Sequence, residues 1–501
     1  MKLFKSAKFN GNLLIAIVMV ILTTYGVQAQ LIEIRSVPVA TGNQFSVFPS
    51  QNQSMAGVSI AIDDPWQSPF MNPAKGTEMD KTRLFFLPNR YSISDLNESG
   101  HSLPLALHMP FVNWYGSLLL STQELNAPNN ASINQPWNSY YTPAKTQSRK
   151  NSYAQISLGR KLHNNPNTSL GISVFYADLQ ALSGVDYLYN SPDAIQQNGQ
   201  VWDFRIGTDH RFADQKSVEL LVLYNRFKMK HTITQYDWRY EDRITTHDAI
   251  YPYSYRVEKD QTNTTGLHVK YQQPLKENSP WMVGGVLTVN RKSHPKIPNY
   301  ELMNIPRDPG DSWAYNFGIG LAKEIKEASL ALDLIYEPIW SFTWADALND
   351  IERSDGSILP AGGVTVDNHF RFSNYVMRIG VSEKKPPLGI DFGFELRQNQ
   401  YDLTQENYIE LSKRHLQESW TELTFTWGIS LLSDHFQVLY SGRAVFGTGL
   451  PGTTNGGAWR FGAEAAAMSS SNFIIAPDGN LNVRESAVLF HRLTLSVPLG
   501  G

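Results

Sequence analysis

The sequence contains no cysteine among its 501 residues. That absence excludes disulfides, thiolate metal sites, a cysteine nucleophile and a lipid anchor on an N-terminal cysteine. Long apolar runs are missing too: Leu13–Leu22 holds only apolar residues but is too short to cross a bilayer as a helix, and no later stretch approaches the necessary length. The surplus of basic charge that a nucleic-acid partner calls for is also lacking. There are 43 Lys and Arg against 46 Asp and Glu, a net charge of −3, so no nucleic-acid partner is expected. Catalytic motifs are equally scarce. There is no Gly-x-Ser-x-Gly elbow, no His-Glu-x-x-His, and no metal-ligand spacing among the 12 histidines. Gly447-Thr448-Gly449-Leu450-Pro451-Gly452 has the form of a dinucleotide fingerprint. It is followed by Thr453-Thr454-Asn455-Gly456-Gly457, which reads as a loop rather than the helix start such a site needs. The expectation is a protein that is not an enzyme and carries neither cofactor nor metal. An outer-membrane hydrolase would need a Ser-His or Asp-His set assembled across strands.

What is present begins with Lys2, Lys5 and Lys8, then the apolar run, then Val27-Gln28-Ala29. This is the order of a secretory signal peptide, residues 1–29, with cleavage expected near Ala29. Residues 1–29 hold three lysines and no acid, so the mature chain carries a net charge near −6.

The dominant pattern downstream has period two. Ile390, Phe392, Phe394 and Leu396 alternate with Asp391, Gly393, Glu395 and Arg397, and similar runs occur at 315–321, 330–336 and 420–431. Successive side chains of a strand point to opposite faces, so each run has one apolar and one polar face. The connections alternate as well. Short ones fall at 163–167, 213–216, 274–280, 324–326, 383–387 and 433–435. Long ones fall at about 123–150, 181–200, 237–252, 293–311, 344–367, 403–419 and 447–484. A soluble sandwich has no reason to alternate in this way, whereas a transmembrane β-barrel with short periplasmic turns and long outer loops does. The fold expected is all-β, a barrel over 113–501 with about 14 antiparallel strands. A further pair near 83–93 and 103–109 would make 16. Residues 30–112 form an N-terminal segment, and 458–468 could pair as a hairpin in the last long loop.

Within that segment, residues 45–75 contain Pro49, Pro65, Pro69 and Pro73 and lack either periodicity, so they cannot supply wall strands. Ala61-Ile62-Asp63-Asp64, followed by Asn72-Pro73-Ala74, resembles the N-terminal hatch of the FadL-like family of outer-membrane transporters of hydrophobic compounds. The preceding Phe45-Ser46-Val47-Phe48-Pro49-Ser50 and Ser54-Met55-Ala56-Gly57 are similar to the PorV-type branch of that superfamily. The resemblance implies a cell outer-membrane location, a hatch lodged in the lumen and passive uptake of hydrophobic small molecules such as fatty acids. Its alternative is a PorV-like barrel that docks secreted proteins at the cell surface. The partners implied are outer-membrane lipid, a hydrophobic small molecule or lipid and, on the alternative, secreted proteins.

If the apolar face meets lipid, the lumen receives Asp203, Arg205, Asp209, Arg211, Asp333, Arg378, Asp391, Glu395, Arg397 and Glu422. Arg or Lys on the lipid face at mid-depth would cost about 2–4 kcal/mol. These inward charges are expected to form a lumen network and to bond hatch backbone around Asn72, Pro73 and Ala74, which has no ladder partners. Aromatics at Trp137, Tyr140, Tyr141, Tyr236, Trp238, Tyr240, Tyr251, Tyr253, Trp340 and Trp344 suit an interfacial girdle or a collecting site for an apolar ligand.

Overall fold

The computed structural model describes residues 31–499 apart from 97, 128–146, 186–193, 213–214, 237–252, 294–307, 348, 454–467, 470–471 and 478. The expected signal peptide, Trp137, Tyr140, Tyr141, Trp238, Tyr240, Tyr251 and all but the last residue of the suggested 458–468 hairpin lie outside the described residues.

Strands are numbered in chain order. They run β1 (Thr82–Phe86), β2 (Asn89–Ile93), β3 (Glu98–Pro110), β4 (Trp114–Ala127), β5 (Gln147–Leu162), β6 (Asn165–Leu179) and β7 (Ala194–Arg211). There follow β8 (Ser217–Tyr236), β9 (Tyr253–Pro274), β10 (Trp281–Ser293), β11 (Asp308–Ile325) and β12 (Ala328–Asp346). A small hairpin, β13 (Ile351–Glu352) and β14 (Ile358–Leu359), stands in the next loop. The wall resumes with β15 (Val364–Lys385), β16 (Leu388–Asn407), β17 (Ser412–Leu432) and β18 (Gln437–Thr453). A second small pair, β19 (Met468–Ser469) and β20 (Asn472–Phe473), precedes the last wall strand, β21 (Leu481–Leu499).

Each wall strand pairs antiparallel with its neighbours, and β21 closes the barrel by pairing with both β1 and β2. β1 and β2 also share β3 as partner on the other side, so together they occupy one wall position. Leu87 and Pro88 interrupt the ladder between them, yet the Leu87 N–H still donates to the Pro104 carbonyl and the Leu493 N–H to that of Pro88, each at 3.0 Å. The barrel therefore has 16 strand positions instead of about 14. The extra pair is the one marked near 83–93 and 103–109. Its signal was weak because Pro88 and Pro104 break the strand pattern. The wall consequently begins at Thr82, and the expected boundary at 112/113 falls inside it.

Two other expectations change. The loop expected at 403–419 is strand except for a turn at 408–411, because β16 and β17 continue in register from Leu388↔Leu431 to Asn407↔Ser412. Outward positions there are polar, such as Thr404 and Gln417, so the alternation fades even though the ladder does not. The Gly447–Gly452 run likewise lies in β18, paired with β21. A register shift between Val445 and Thr448 accommodates Gly447, whose φ is +83°. That position is open to glycine but strained for a residue with a Cβ.

The faces are distributed inversely to those of a water-soluble core. Ile319 is 65% exposed, Phe392 61% and Ile206 58%, while Asp333 and Asp391 are 0% and 1% exposed. An outer surface of Leu, Ile, Val and Phe around a charged interior is stable only against an apolar surrounding. Aromatics flank this band. Phe111, Trp114, Phe212 and Trp281 stand at the short-turn end, and Trp202, Tyr224, Trp313 and Trp340 toward the other. The Arg160 guanidinium lies 4.7 Å from the Trp114 ring centroid and the Lys323 ammonium 5.0 Å from that of Trp281. These are snorkelling cations at an interface. The barrel is thus of the transmembrane kind, crossing with strands.

Because the chain has no native thiol, single cysteines report sidedness cleanly. Cysteine at Glu410, in the β16–β17 turn, should react with an impermeant maleimide on intact cells, and cysteine at Glu277, in the β9–β10 turn, should react only after lysis. The reverse pattern would invert the orientation.

Candidate functional site

Residues 31–79 lie inside the barrel. This segment is mostly irregular, with a 3-10 turn at Asn52–Met55, one helical turn at Ser68–Met71 and a second 3-10 turn at Pro73–Glu78. Asp64 ties the first two together. One carboxylate oxygen accepts from the Ser50 hydroxyl (2.6 Å) and the Asn52 N–H (2.9 Å), and the other from the N–H groups of Trp66 (3.0 Å) and Gln67 (3.1 Å). Asn72 caps the third turn by accepting from the Ala74 N–H at 3.1 Å, with Pro73 at the first helical position, where no N–H is needed.

An irregular backbone in a lumen must find partners on the wall. Asp333 accepts from the N–H groups of Ser59 (2.8 Å) and Ile60 (3.3 Å). Asp391 accepts from the Ser54 hydroxyl at 2.8 Å, and the Thr426 hydroxyl both donates to the Ser54 carbonyl (2.8 Å) and accepts from the Ala56 N–H (2.9 Å). Gln155 donates to the Phe70 carbonyl (2.9 Å), Gln272 to that of Ile60 (3.1 Å) and Gln123 to that of Gln44 (2.9 Å). Arg492, only 2% exposed, donates to the carbonyls of Ser46 and Phe48 and to the side chains of Ser46 and Gln53. The wall also yields space. A Cβ on Gly393 would sit 2.2 Å from the Ala56 nitrogen, and one on Gly171 would sit 2.5 Å from that of Ala74.

The inward charges form three groups. Arg378 donates to Glu395 at 2.6 Å, Arg397 to Glu337 at 2.8 Å, and Glu422 accepts from hatch residue Arg35 at 2.8 Å. Asp203 and Arg205 pair at 2.7 Å, and Arg205 also donates to the Met71 carbonyl at 3.2 Å. The third group centres on Asp63, whose carboxylate bridges the ammoniums of Lys75 (2.6 Å) and Lys270 (2.5 Å). Lys75 reaches Glu219 at 2.9 Å. Asp209 stands beside Arg211, which pairs with Glu78. Burial alone would raise the Asp63 pKa, but the Lys270 and Lys75 ammoniums outweigh it and hold Asp63 well below the usual carboxylate range. Burial opposes the Lys75 charge, and Asp63 and Glu219 together more than compensate, raising its pKa.

All ten predicted charges reach the lumen side, but they do not meet where the sequence placed them. At Asn72-Pro73-Ala74 the wall supplies a backbone carbonyl, that of Thr208, which accepts from the Asn72 amide at 3.3 Å, and the bare surface of Gly171. Only Arg205 arrives close by, at Met71. The other charges that touch the segment instead engage Ser54, Ser59, Ile60, Arg35 and Glu78. Lys75, Glu219, Lys270 and Arg492 were missed. Lys270 and Arg492 were legible, since Leu267, Val269 and Tyr271 place Lys270 inward and Leu493, Leu495 and Val497 do so for Arg492. Glu219 was not, because Leu220–Leu223 are apolar on both faces.

The remaining contact between hatch and wall is apolar. Phe45, Phe48 and Phe70 pack with Tyr153, Phe175 and Phe227 in the largest buried cluster of the molecule. Phe48 and Phe175 have centroids 5.9 Å apart, and Phe45 meets Tyr153 edge-on at 5.8 Å. Among the described residues no group of His, Asp or Glu is placed to hold a metal ion.

No family model and no curated protein matches the sequence. Among solved structures, the chain is similar to the Ralstonia pickettii toluene transporter TbuX, at 10% identity, covering 91% of this chain and 100% of that one with a TM-score of 0.40. It is similar to a Pseudomonas aeruginosa FadL homologue at 10% identity, covering 95% of this chain and 100% of that one with a TM-score of 0.41. It is similar also to the ferric-catecholate import receptor Fiu from E. coli K12 at 8% identity, covering 83% and 81% with a TM-score of 0.37.

Two outcomes follow for the hatch. Asp63→Asn takes the carboxylate partner from the buried Lys270 ammonium and leaves Lys75 with Glu219 alone, at a cost of about 3–5 kcal/mol, and should raise single-channel conductance at pH 7 without abolishing the heat-modifiable barrel band. Because the folded pKa of Asp63 is depressed, its contribution is present above the unfolded value of about 4 and is lost as pH falls through and below it. The difference between the variant and the intact protein should therefore narrow progressively as pH falls below about 4, and a difference that does not narrow would refute the assignment. Gly393→Val should also raise conductance, since the valine and Ala56 cannot share the space. An unchanged trace would show that hatch and wall are not in contact there.

Proposed function

We propose that this chain is an outer-membrane barrel that admits hydrophobic small molecules, such as fatty acids, by passive passage around or through its hatch. The observation that carries the reading is the apolar cluster inside the lumen, where the hatch aromatics Phe45, Phe48 and Phe70 meet Tyr153, Phe175 and Phe227. An open aqueous pore has a polar lumen, which excludes apolar solutes. A plugged lumen with an aromatic lining favours them, because such a site removes apolar surface from water. The hatch-like wording at Asp63-Asp64 and Asn72-Pro73-Ala74 supports the same reading. No catalytic step is assigned to the chain.

The test is uptake of radiolabelled oleate by cells that lack their own transporter and express this chain. Expression should raise uptake several-fold, and Phe175→Glu, which puts a carboxylate into the cluster, should abolish the increase while leaving the heat-modifiable barrel. Absence of any increase would overturn the proposal. Absence of uptake together with a secreted protein co-purifying in stoichiometric amount would favour the docking role.

A further inference from the structure

The outer surface of β7, β8 and β9 carries a feature that uptake does not require. Outward positions on these strands form three rows in register: Trp202, Arg226 and Asn263; Gln200, Lys228 and Gln261; Asn198, Lys230 and Lys259. The first row lies one step above Tyr224, where the apolar band of these strands, through Val222, Tyr224, Phe204 and Trp202, ends. The other two rows lie beyond it, toward the outer loops. The block thus offers four cations and five uncharged residues, four of them amides, with no carboxylate facing outward. Neighbouring strands lie about 4.8 Å apart and alternate residues about 7 Å, so the block measures roughly 10 by 14 Å, the footprint of a lipid headgroup.

Other sectors of the same rim balance their charges. Arg371 stands opposite Asp402, His101 lies 3.8 Å from Glu124, Lys413 pairs with Glu406, and Arg291 pairs with Asp311 at 2.9 Å. Among the described residues, Arg226, Lys228 and Lys230 have no ion-pair partner, and the nearest outward acid on the adjoining strand β6 is Asp178, in register with Gln200.

We propose that this block binds the phosphate groups of anionic lipids in the outer leaflet, with the acyl chains lying on the apolar band directly below. Position and charge together select that occupant. A cationic block continuous with a lipid-facing surface meets a headgroup phosphate before any soluble anion, and the amides of Gln200, Gln261 and Asn198 donate to the same oxygens. The inference requires the transmembrane placement of the barrel and is independent of what passes through the lumen.

The experiment is native mass spectrometry of the full-length protein in detergent, titrated with phosphatidylglycerol or with phosphatidylcholine of the same chains. The protein should hold phosphatidylglycerol in preference. Each neutralised cation should weaken that binding about fivefold, as an interaction of about 1 kcal/mol per basic residue implies. The variant R226Q/K228Q/K230Q should lose the preference while keeping its heat-modifiable band, and R371Q, in a charge-balanced sector, should keep it. Inorganic phosphate at millimolar concentration should not displace the lipid. An unchanged preference in the triple variant, an equal loss in R371Q, or displacement by inorganic phosphate would each overturn the proposal.

Discussion

The interaction on which the structure depends is the satisfaction of hatch backbone by inward-facing side chains of the wall. A segment with prolines at 49, 65, 69 and 73 cannot pair with itself as a continuous helix or sheet beyond single turns, and an N–H or carbonyl left bare in a closed lumen costs about 1–3 kcal/mol. Asp333, Thr426, Gln155, Gln272 and Arg492 meet that need at successive points along the chain. The wall in turn needs the hatch. Arg492 is buried with its donors directed at hatch carbonyls, and removing the segment would leave that guanidinium in a cavity with only one charged neighbour of note, Asp64, gone as well. Hatch and lumen charges therefore explain one another.

The same logic separates the two halves of the lumen. On the side of β12, β15, β16 and β17 the inward residues include Arg–Glu pairs tied to Arg35, above which Ile339, Phe370, Phe372, Tyr401 and Leu403 pack in a smaller apolar cluster with Ile32 and Ile34. On the side of β4 to β8 the inward residues include Tyr153, Phe175 and Phe227, and the hatch answers with phenylalanines. Aromatic contacts there have no directional hydrogen bonds to break, so a guest that offers apolar surface can compete for them at little cost. Polar contacts hold the hatch on both sides, and on the proposed function the larger of the two apolar clusters, around Phe175, is the part of the lumen suited to a hydrophobic guest.

Much of the wall was legible in the sequence, and the failures have physical causes. Alternation is strong where one face meets lipid and the other meets charge, as at Ile390–Arg397. It fades where both faces are polar, which hid the outer parts of β16 and β17, and where both are apolar, which hid the inward parity of Glu219. The β1–β2 position was obscured by Pro88, which a wall tolerates because neighbouring strands still bond across the break. Of the candidate site, the inward charges were readable from parity alone. Their partners were not, because parity fixes a face and says nothing of which hatch residue stands opposite. Of the charges expected at Asn72-Pro73-Ala74, Asp391 and Asp333 reach instead to Ser54, Ser59 and Ile60, which are placed by the path of the hatch rather than by any local signal.

The account stands on the claim that residues 45–75 close the barrel. Its most direct test is single-channel conductance of a chain lacking those residues, beside the intact protein, in planar bilayers. The account predicts an assembled, heat-modifiable barrel that conducts small ions steadily where the intact protein is nearly closed. A deletion that assembles and conducts no better than the intact protein would contradict it.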